Sequence, residues 1–323
     1  MSRRSDFMHD VRMASARLGG SKSSISQRRR AGELLADFLS REGNLPSKLA
    51  SVNPACLPIF AVYLQEIYAH PGTLQNKMGG IRQLLTTAQV DVSAYSSNKS
   101  VGLLPRSRLP GKLPYPDNQL EGLYLRAKAL DNGFMLCLKL ERLLGPRGLE
   151  ALMSPKTLVN WTILASQSNE VTFTAGTKGG RPRESELIHA KRAETLAVLN
   201  SSILHMQSNN GFLLRGPGEN LKSARSLYHR LCRSVGLVKP YSAHSLRYAY
   251  CVDKLVELIG LGYNMREACR EVAPFLGHGA GRGRYVRSVY GSTVVDTGKI
   301  KSRESILSRL ATIAANTIAM KKR

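Results

Sequence analysis

Apolar residues recur every three to four positions in three stretches near the start of the chain, and this is the period of an amphipathic helix. One predicted helix begins near Ser24, and a second runs from about Pro54 to Ala69, with Pro71 just beyond its end. The apolar positions of the three helices are Leu34, Leu35, Phe38 and Leu39, then Leu57, Phe60, Ala61, Leu64, Ile67 and Tyr68, and last Leu74, Met78, Ile81, Leu85 and Ala88. Three such helices in succession predict a small helical bundle.

The apolar period breaks between Ser93 and Lys112, where serines, prolines and basic residues dominate. This composition is typical of a linker between domains. The expected organisation is a flexible basic tail at 1–22, a helical domain at 23–92, a linker at 93–112 and a larger second domain at 113–323.

The second domain begins with two predicted helices, which contain Leu123 and Leu140. The apolar period then changes to two, as is typical of strands, in TLVNWTIL at 157–164, EVTFTAG at 170–176 and ESELIHA at 184–190. Helices return from Lys191 onward. The sequence therefore predicts an α+β fold that is mainly α with a small β-sheet.

The chain is strongly basic, with 47 Lys+Arg against 23 Asp+Glu and a formal net charge of +24. Such a balance favours a polyanionic partner, bound with an affinity that falls as salt rises. The first residues lack the apolar core of a signal peptide, and the longest apolar run, LPIFAVYL, is too short to span a bilayer. We therefore expect no membrane partner and a cytoplasmic, nucleoid-associated protein.

Residues suited to phosphodiester chemistry are concentrated in AHSLRYAY at 243–250 and FLGHGAGRGRYVRSVYG at 275–291. Cutting a phosphodiester through a covalent link needs a nucleophile, cations that hold the non-bridging oxygens, and groups that carry protons. Tyrosine, arginine and histidine are suited to these tasks, and both segments contain them. The sequence thus predicts chemistry on nucleic acid.

Five motifs, in chain order, resemble those of the tyrosine recombinases, also called the phage integrase family. They are LLGPRGLEAL with Arg147 and Glu150, TKGGRPRE with Lys178, HSLR with His244 and Arg247, LGH with His278, and SVYG with Tyr290. The resemblance covers about residues 113–295, and the helical block before it resembles the family's core-binding domain. The joint pattern is more specific than any one motif.

This resemblance implies a covalent mechanism. Arg147 and Arg247 would hold the scissile phosphate, and His278 would add a hydrogen-bond donor. Tyr290 would attack in line and leave a 3′-phosphotyrosyl link. Tyr285 is an alternative nucleophile, because the interval from His278 to Tyr290 is longer than is usual in the family.

The family also implies the proton carriers. Lys178 would protonate the departing 5′ oxygen, His244 would handle the tyrosine proton, and Glu150 would orient Arg147 or His244. We expect neither a metal ion nor another cofactor, since the cations supply the charge and the phosphotyrosine conserves the energy of the bond.

Two further sets of residues are assigned to partners. Double-stranded DNA is expected to contact Arg28, Arg29, Arg30, Arg181 and Arg183. A C-terminal helix is expected to dock on a neighbouring protomer through Ile306, Leu310, Ile313, Thr317 and Met320, which recur at coiled-coil-like spacing. Packing of that helix on its own domain is the alternative. The resemblance further implies a homo-oligomer, a tetramer on paired sites, with accessory DNA-bending factors as additional partners.

The function implied is that of a site-specific DNA recombinase, an integrase acting in the integration or excision of a mobile element. A type IB topoisomerase-like enzyme would use the same chemistry but act alone. A non-catalytic DNA-binding protein of the same fold is the third interpretation, and the presence of every catalytic residue type argues against it.

Overall fold

The computed structural model describes residues 2–105, 113–291 and 294. The chain divides into two compact units, Met1–Ser107 and Arg108–Arg323. Each unit has a hydrophobic core of its own.

The first unit is a helical bundle. Its helices are α1 (Arg3–Arg17), α2 (Lys22–Arg41), α3 (Leu57–Ile67) and α4 (Pro71–Thr87). Ser21 caps α2 by accepting a hydrogen bond from the backbone N–H of Ser24, and Pro71 is the first residue of α4. Leu35, Phe60 and Ile81, each predicted on an apolar face, are fully buried.

A helix occupies most of the segment that we expected to be a flexible tail. Phe7 and Val11 of α1 are fully buried in the core of the first unit. Helix α2 accommodates α1 at Gly32, where a Cβ atom would lie 2.4 Å from Cγ1 of Val11. The short apolar stripe of α1 is diluted by arginine and serine, so its burial depends on the surface that α2 offers.

Part of the segment expected to be a linker belongs to the first unit. Val101 and Leu103 are buried in its core. Arg82 of α4 holds the loop between α4 and Val101, because its guanidinium donates to the carbonyl oxygens of Tyr95 and Ser97 at 2.6 Å each.

The second unit is mainly helical and contains one β-hairpin. Its elements are α5 (Leu120–Leu130), α6 (Asn132–Leu144), α7 (Gly148–Met153), α8 (Leu158–Gln167), β1 (Glu170–Phe173), β2 (Arg183–Glu186), α9 (Arg192–Ser208), α10 (Leu221–Ser234), α11 (His244–Gly260), α12 (Met265–Phe275) and α13 (Gly283–Val286). The two strands are antiparallel, with Val171 opposite Ser185. This architecture confirms the predicted fold class.

The segment 157–164, predicted to be a strand, instead forms the N-cap and first residues of helix α8. Leu158, Trp161 and Ala165 are buried at helical spacing, whereas Val159 and Ile163 are exposed. The indole N–H of Trp161 donates to a β1 carbonyl at 2.8 Å, so α8 packs on the hairpin. The apolar residues fit both periods, and tertiary packing decides between them.

The core of the second unit has two parts. One surrounds α6 and contains Trp161 and Phe173. The other lies between α11 and α12 and contains Tyr250, Cys269 and Tyr290. The C-terminal docking helix predicted around Ile306 lies outside the described residues. In the described ranges, no helix is both long and apolar enough to cross a membrane.

Candidate active site

The turn between α6 and α7 places the first candidate arginine. Gly145 ends α6 with a φ of 67°, and a Cβ atom there would lie 2.4 Å from the ring of Tyr250. A side chain at this position would therefore clash as well as strain the backbone. Arg147 follows directly before α7, and its backbone N–H donates to the carboxylate of Glu150 at 2.6 Å.

Glu150 is a fully buried carboxylate among three arginines. It pairs with Arg147 at 2.8 Å and Arg183 at 2.6 Å, and Arg247 lies 4.0 Å away. Burial by itself would raise the pKa of Glu150. Hydrogen bonds and positive charge from Arg183, with the backbone N–H of Arg147, outweigh burial and lower that pKa below its ordinary value.

Arg247 lies in the first turn of α11 and is almost completely buried. Its terminal nitrogens donate to the carbonyl oxygens of Gly145 and Leu276. Burial, and then repulsion from Arg183 and Arg147, lowers its pKa to about 10. The guanidinium is therefore still charged at neutral pH, and none of the described residues accepts a hydrogen bond from its Nε.

His278 follows the C-terminal end of α12, next to Gly277. Burial, and then the positive charges of Arg247 and Arg147, lowers the pKa of His278 to about 4. The imidazole is consequently neutral at physiological pH. Its Nε2 atom is buried, and nothing in the described part of the chain forms a hydrogen bond with it.

The two candidate nucleophiles occupy different environments. Tyr290 is 2% exposed in the π-helical turn Arg287–Gly291, whereas Tyr285 is 40% exposed. Their ring centroids lie 6.2 Å and 4.9 Å, respectively, from that of His278. Burial raises the pKa of Tyr290, while the charge of Arg247 and a hydrogen bond with it act in the opposite direction. Contact with Arg247 therefore favours Tyr290 as the residue beside the candidate phosphate site.

His244 and Lys178 lie outside this arginine cluster. His244 is the first residue of α11, and its ring centroid is 5.3 Å from that of Tyr248. Tyr248 in turn lies 4.2 Å from Tyr290, so the three rings form a row. Lys178 is exposed in the turn Lys178–Gly180 between the two strands of the hairpin.

The cluster carries more positive than negative charge. Arg147, Arg183 and Arg247 face one carboxylate, that of Glu150. Buried charges are normally balanced, because desolvating an unpaired one is costly. The surplus positive charge, together with Nε of Arg247 and Nε2 of His278, which have no hydrogen-bond partner among the described residues, favours the binding of an anion at this site.

Two of the arginines predicted to contact DNA form hydrogen bonds within the protein. Arg183 is buried against Glu150, so it cannot reach a phosphate at the surface. The guanidinium of Arg28 donates to the carbonyl oxygens of Ser15 and Gly19 and thereby holds the end of α1. Local sequence does not distinguish such arginines from solvated ones, because the carbonyls that bind them come from other elements.

The remaining three arginines are accessible. Arg29 and Arg181 are exposed, and Arg30 forms an exposed ion pair with Glu33 at 2.8 Å. An exposed pair of this kind is weak and can be exchanged for a phosphate.

One basic surface was missed by the sequence reasoning. Helix α10 buries Tyr228 and Cys232 and exposes basic residues on its opposite side. The exposed basic residues are Lys222, Arg225, His229, Arg230 and Arg233. Their spacing of three and four residues within LKSARSLYHRLCRS was the available indication.

Comparison with known proteins agrees with the motifs. Residues 102–253 match the model of a family described as Integrase. This segment includes Arg147, Lys178, His244 and Arg247 and ends before His278. The match confirms the family predicted from the sequence. No curated protein sequence matches the chain.

Two solved structures share the fold. One is the Tn1549 transposon integrase in complex with transposon right end DNA, with 13% identity and a TM-score of 0.58 over 90% of this chain and 99% of that chain. The other is the XerH site-specific recombinase in a post-cleavage complex with a palindromic difH substrate, with 15% identity and a TM-score of 0.53 over 87% and 80% of the respective chains. At these identities the likeness establishes the fold.

Proposed function

Because residues 102–253 match the Integrase family and the chain has the fold of the tyrosine recombinases, we propose that the protein is a site-specific DNA recombinase working through a 3′-phosphotyrosyl intermediate. The observation that carries this proposal is the buried surplus of arginine charge beside Tyr290. A phosphodiester supplies the missing negative charge, and a phenol supplies the nucleophile.

The arginines would hold the phosphate. Arg147 and Arg247 come from different segments, so they can approach two non-bridging oxygens from different directions. His278 is neutral at physiological pH but keeps one N–H, which can donate to the same group. Charge develops on these oxygens as phosphorus becomes five-coordinate, and donors already in place stabilise it.

The cleavage step forms one bond and breaks one. The phenolic oxygen of Tyr290 bonds to phosphorus as the bond from phosphorus to the 5′ oxygen breaks. The phenolic proton passes to His244, and the departing 5′ oxygen receives a proton from Lys178. In the reverse direction, a 5′ hydroxyl of the partner strand attacks phosphorus and releases Tyr290.

Lys178 lies on the exposed hairpin turn, and its ammonium group must reach the phosphate to protonate the 5′ oxygen. Gly179 and Gly180 have φ values of 75° and 71°, and a Cβ atom built on either would meet no other atom within 4 Å, so the tip of the turn has room to move. We propose that bound DNA draws the turn in and so completes the site.

The DNA would lie against exposed basic surfaces. We assign phosphate contacts to Arg29 in the first unit, to Arg181 in the hairpin and to the basic face of α10. Partial burial of the ring lowers the pKa of His229 on that face, and the charges of Arg225 and Arg233 lower it further. Bound phosphates relieve this repulsion.

Recombination requires more than one protomer. We propose that the protein assembles as a homo-oligomer, a tetramer on paired sites, and acts in the integration or excision of a mobile element. Support comes from the family match, which concerns integrases. Accessory DNA-bending factors would be additional partners.

The proposal is tested by covalent capture. The full chain is incubated with a pool of randomised DNA duplexes, the reaction is stopped with detergent, and protein-linked DNA is recovered and sequenced. We expect a specific duplex joined to the protein at its 3′ phosphate, with mass spectrometry locating the link on Tyr290.

The same captured duplex separates the alternative functions. Paired copies should yield recombinant products. Relaxation of a supercoiled plasmid without recombinants would indicate a type IB topoisomerase-like enzyme. Tight binding with no adduct on any duplex would indicate a non-catalytic DNA-binding protein.

A further inference from the structure

We infer that Arg183 is a positioning residue for the proposed cleavage reaction, which it serves by holding Glu150 and, through it, Arg147. The inference rests on the proposed recombinase function. Arg183 is the first residue of β2, just after the hairpin turn that carries Lys178. Its side chain nevertheless points into the protein and is 6% exposed.

The guanidinium of Arg183 joins three segments. Its Nη2 donates to Glu150 at 2.6 Å and to the carbonyl oxygen of Gly145 at 3.2 Å, and its Nε lies 3.3 Å from the second carboxylate oxygen. Its Nη1 donates to the carbonyl oxygen of Phe275. The charged group also lies 4.1 Å from the centre of the Phe173 ring. These contacts give every nitrogen of the guanidinium a partner within the protein, so Arg183 itself need not touch substrate.

Each joined segment leads directly to a proposed catalytic residue. Gly145 lies two positions before Arg147, and Phe275 lies three positions before His278. Packing is close where the segments meet, because a Cβ atom on Gly277 would lie 2.8 Å from Cδ of Arg183 and 3.2 Å from Nη2 of Arg147. Arg183 therefore sets how closely these segments approach one another.

Arg183 also keeps Glu150 charged. Its hydrogen bonds and charge offset the burial of this carboxylate. The ionised Glu150 accepts from both the backbone N–H and the guanidinium of Arg147 and so fixes its direction. Without Arg183, the carboxylate would be poorly compensated and Arg147 would lose its anchor. Lysine cannot replace the planar, multiply donating group.

A purely structural role and a positioning role differ in how they depend on substrate charge. A methylphosphonate, in which a methyl group replaces one non-bridging oxygen, has no negative charge for the arginines to hold. On this substrate, a variant with a misplaced Arg147 should therefore react nearly as fast as the unaltered protein does on the same substrate. A smaller folded fraction, in contrast, lowers the rates on both substrates by the same factor.

The experiment compares Arg183→Lys with Arg142→Lys as a matched control. Arg142 is also a buried arginine, and it pairs with Asp117 at 2.8 Å and Asp253 at 2.5 Å, neither of which is a proposed catalytic residue. Adduct formation by each full chain is measured on the captured duplex with a normal scissile phosphate, with a methylphosphonate and with a sulfur atom in place of the bridging 5′ oxygen.

We expect Arg183→Lys to form adduct about 100-fold more slowly than the unaltered protein on the normal phosphate, as a misplacement of about 1 Å would cause. On the methylphosphonate, the difference should shrink to less than about fivefold if charge holding is the step affected. Arg142→Lys should change both rates by one common factor.

Two results would overturn the inference while leaving the proposed function intact. One is that Arg183→Lys slows adduct formation by the same factor on the normal phosphate and on the methylphosphonate. The other is recovery on the bridging-sulfur duplex, which needs no proton on its leaving group, since this would mean that Arg183 acts through Lys178. Failure of the unaltered protein to form adduct on any duplex would contradict the proposed function and, with it, the role of Arg183.

Discussion

The ring of Tyr290 lies against the ring of Tyr248, with 4.2 Å between their centroids. This contact places the proposed nucleophile in the core between α11 and α12, next to Arg247. Tyr285, five residues earlier, remains 40% exposed. The two candidate tyrosines are therefore distinguished by packing rather than by local sequence.

Replacement of Tyr290 with phenylalanine should abolish the covalent adduct, because the attacking oxygen is removed while the ring that packs on Tyr248 is kept. DNA binding, measured by fluorescence anisotropy on the captured duplex, should stay within about threefold, since most of the affinity comes from phosphate contacts elsewhere. Tyr285→Phe is the control and should retain adduct formation. The opposite pattern would identify Tyr285 as the nucleophile.

Gly277→Ala should damage the site through crowding. The new Cβ atom would meet the side chains of Arg183 and Arg147, and the φ of +60° is unfavourable for alanine. We expect a loss of about 1–3 kcal/mol in the free energy of unfolding and at least about a tenfold lower rate of adduct formation. Gly262→Ala tests backbone strain alone, because its φ is +96° and its surroundings are open. An equal loss of activity in both variants would argue against crowding.

His278 should make the protein sensitive to acid. The folded state lowers the pKa of His278 from 6.5 to about 4, so it binds fewer protons than the unfolded chain between these values. The stability that depends on neutral His278 is fully present above its ordinary pKa and is lost as the pH falls through about 4. His278→Gln should therefore show a smaller drop in Tm between about pH 7 and about pH 4.5 than the unaltered protein. His189→Gln, at an exposed position, is the control and should show the full drop.

Arg29 and Arg28 should behave differently although they are adjacent. Arg29→Gln should reduce the slope of log affinity against log salt by about 0.9, as the loss of one phosphate contact does. Arg28→Gln should leave that slope unchanged and lower the Tm instead, because the bonds to Ser15 and Gly19 that hold α1 are lost. Titrations at several salt concentrations and thermal unfolding measure the two effects. A changed slope for Arg28→Gln would mean that its guanidinium leaves α1 to contact DNA.

Cleavage should proceed in excess EDTA and without nucleotide. Arg147, Arg247 and Lys178 together provide the positive charge that a metal ion would otherwise supply to the phosphate. Adduct formation on the captured duplex, measured with EDTA and again with added Mg²⁺, should differ by less than about threefold if metal chemistry is not involved. A strict requirement for Mg²⁺ in the cleavage step would point to a different nuclease chemistry.

The sequence alone indicated the family and the proposed chemistry, and it predicted much of the helical framework. The motifs around Arg147, Arg247 and His278 are local. The structure brings Arg147 and Arg247 together at Glu150 and places His278 close enough to both arginines for their charges to lower its pKa. Helices α2 to α4 were predictable because each presents a regular apolar face. A pattern that lies within one helix or one motif can be recognised in the sequence without knowledge of the tertiary contacts.

Tertiary structure decided what depends on contact between elements. Helix α1 forms a packed layer where α2 has room for Val11, and the segment around Trp161 becomes a helix because its buried residues face the hairpin. Arg183 turns inward because a buried carboxylate and two backbone carbonyls from distant segments satisfy its donors. An arginine in the sequence carries the same charge wherever it lies, and only the partners assembled by folding determine whether it binds the protein or its ligand.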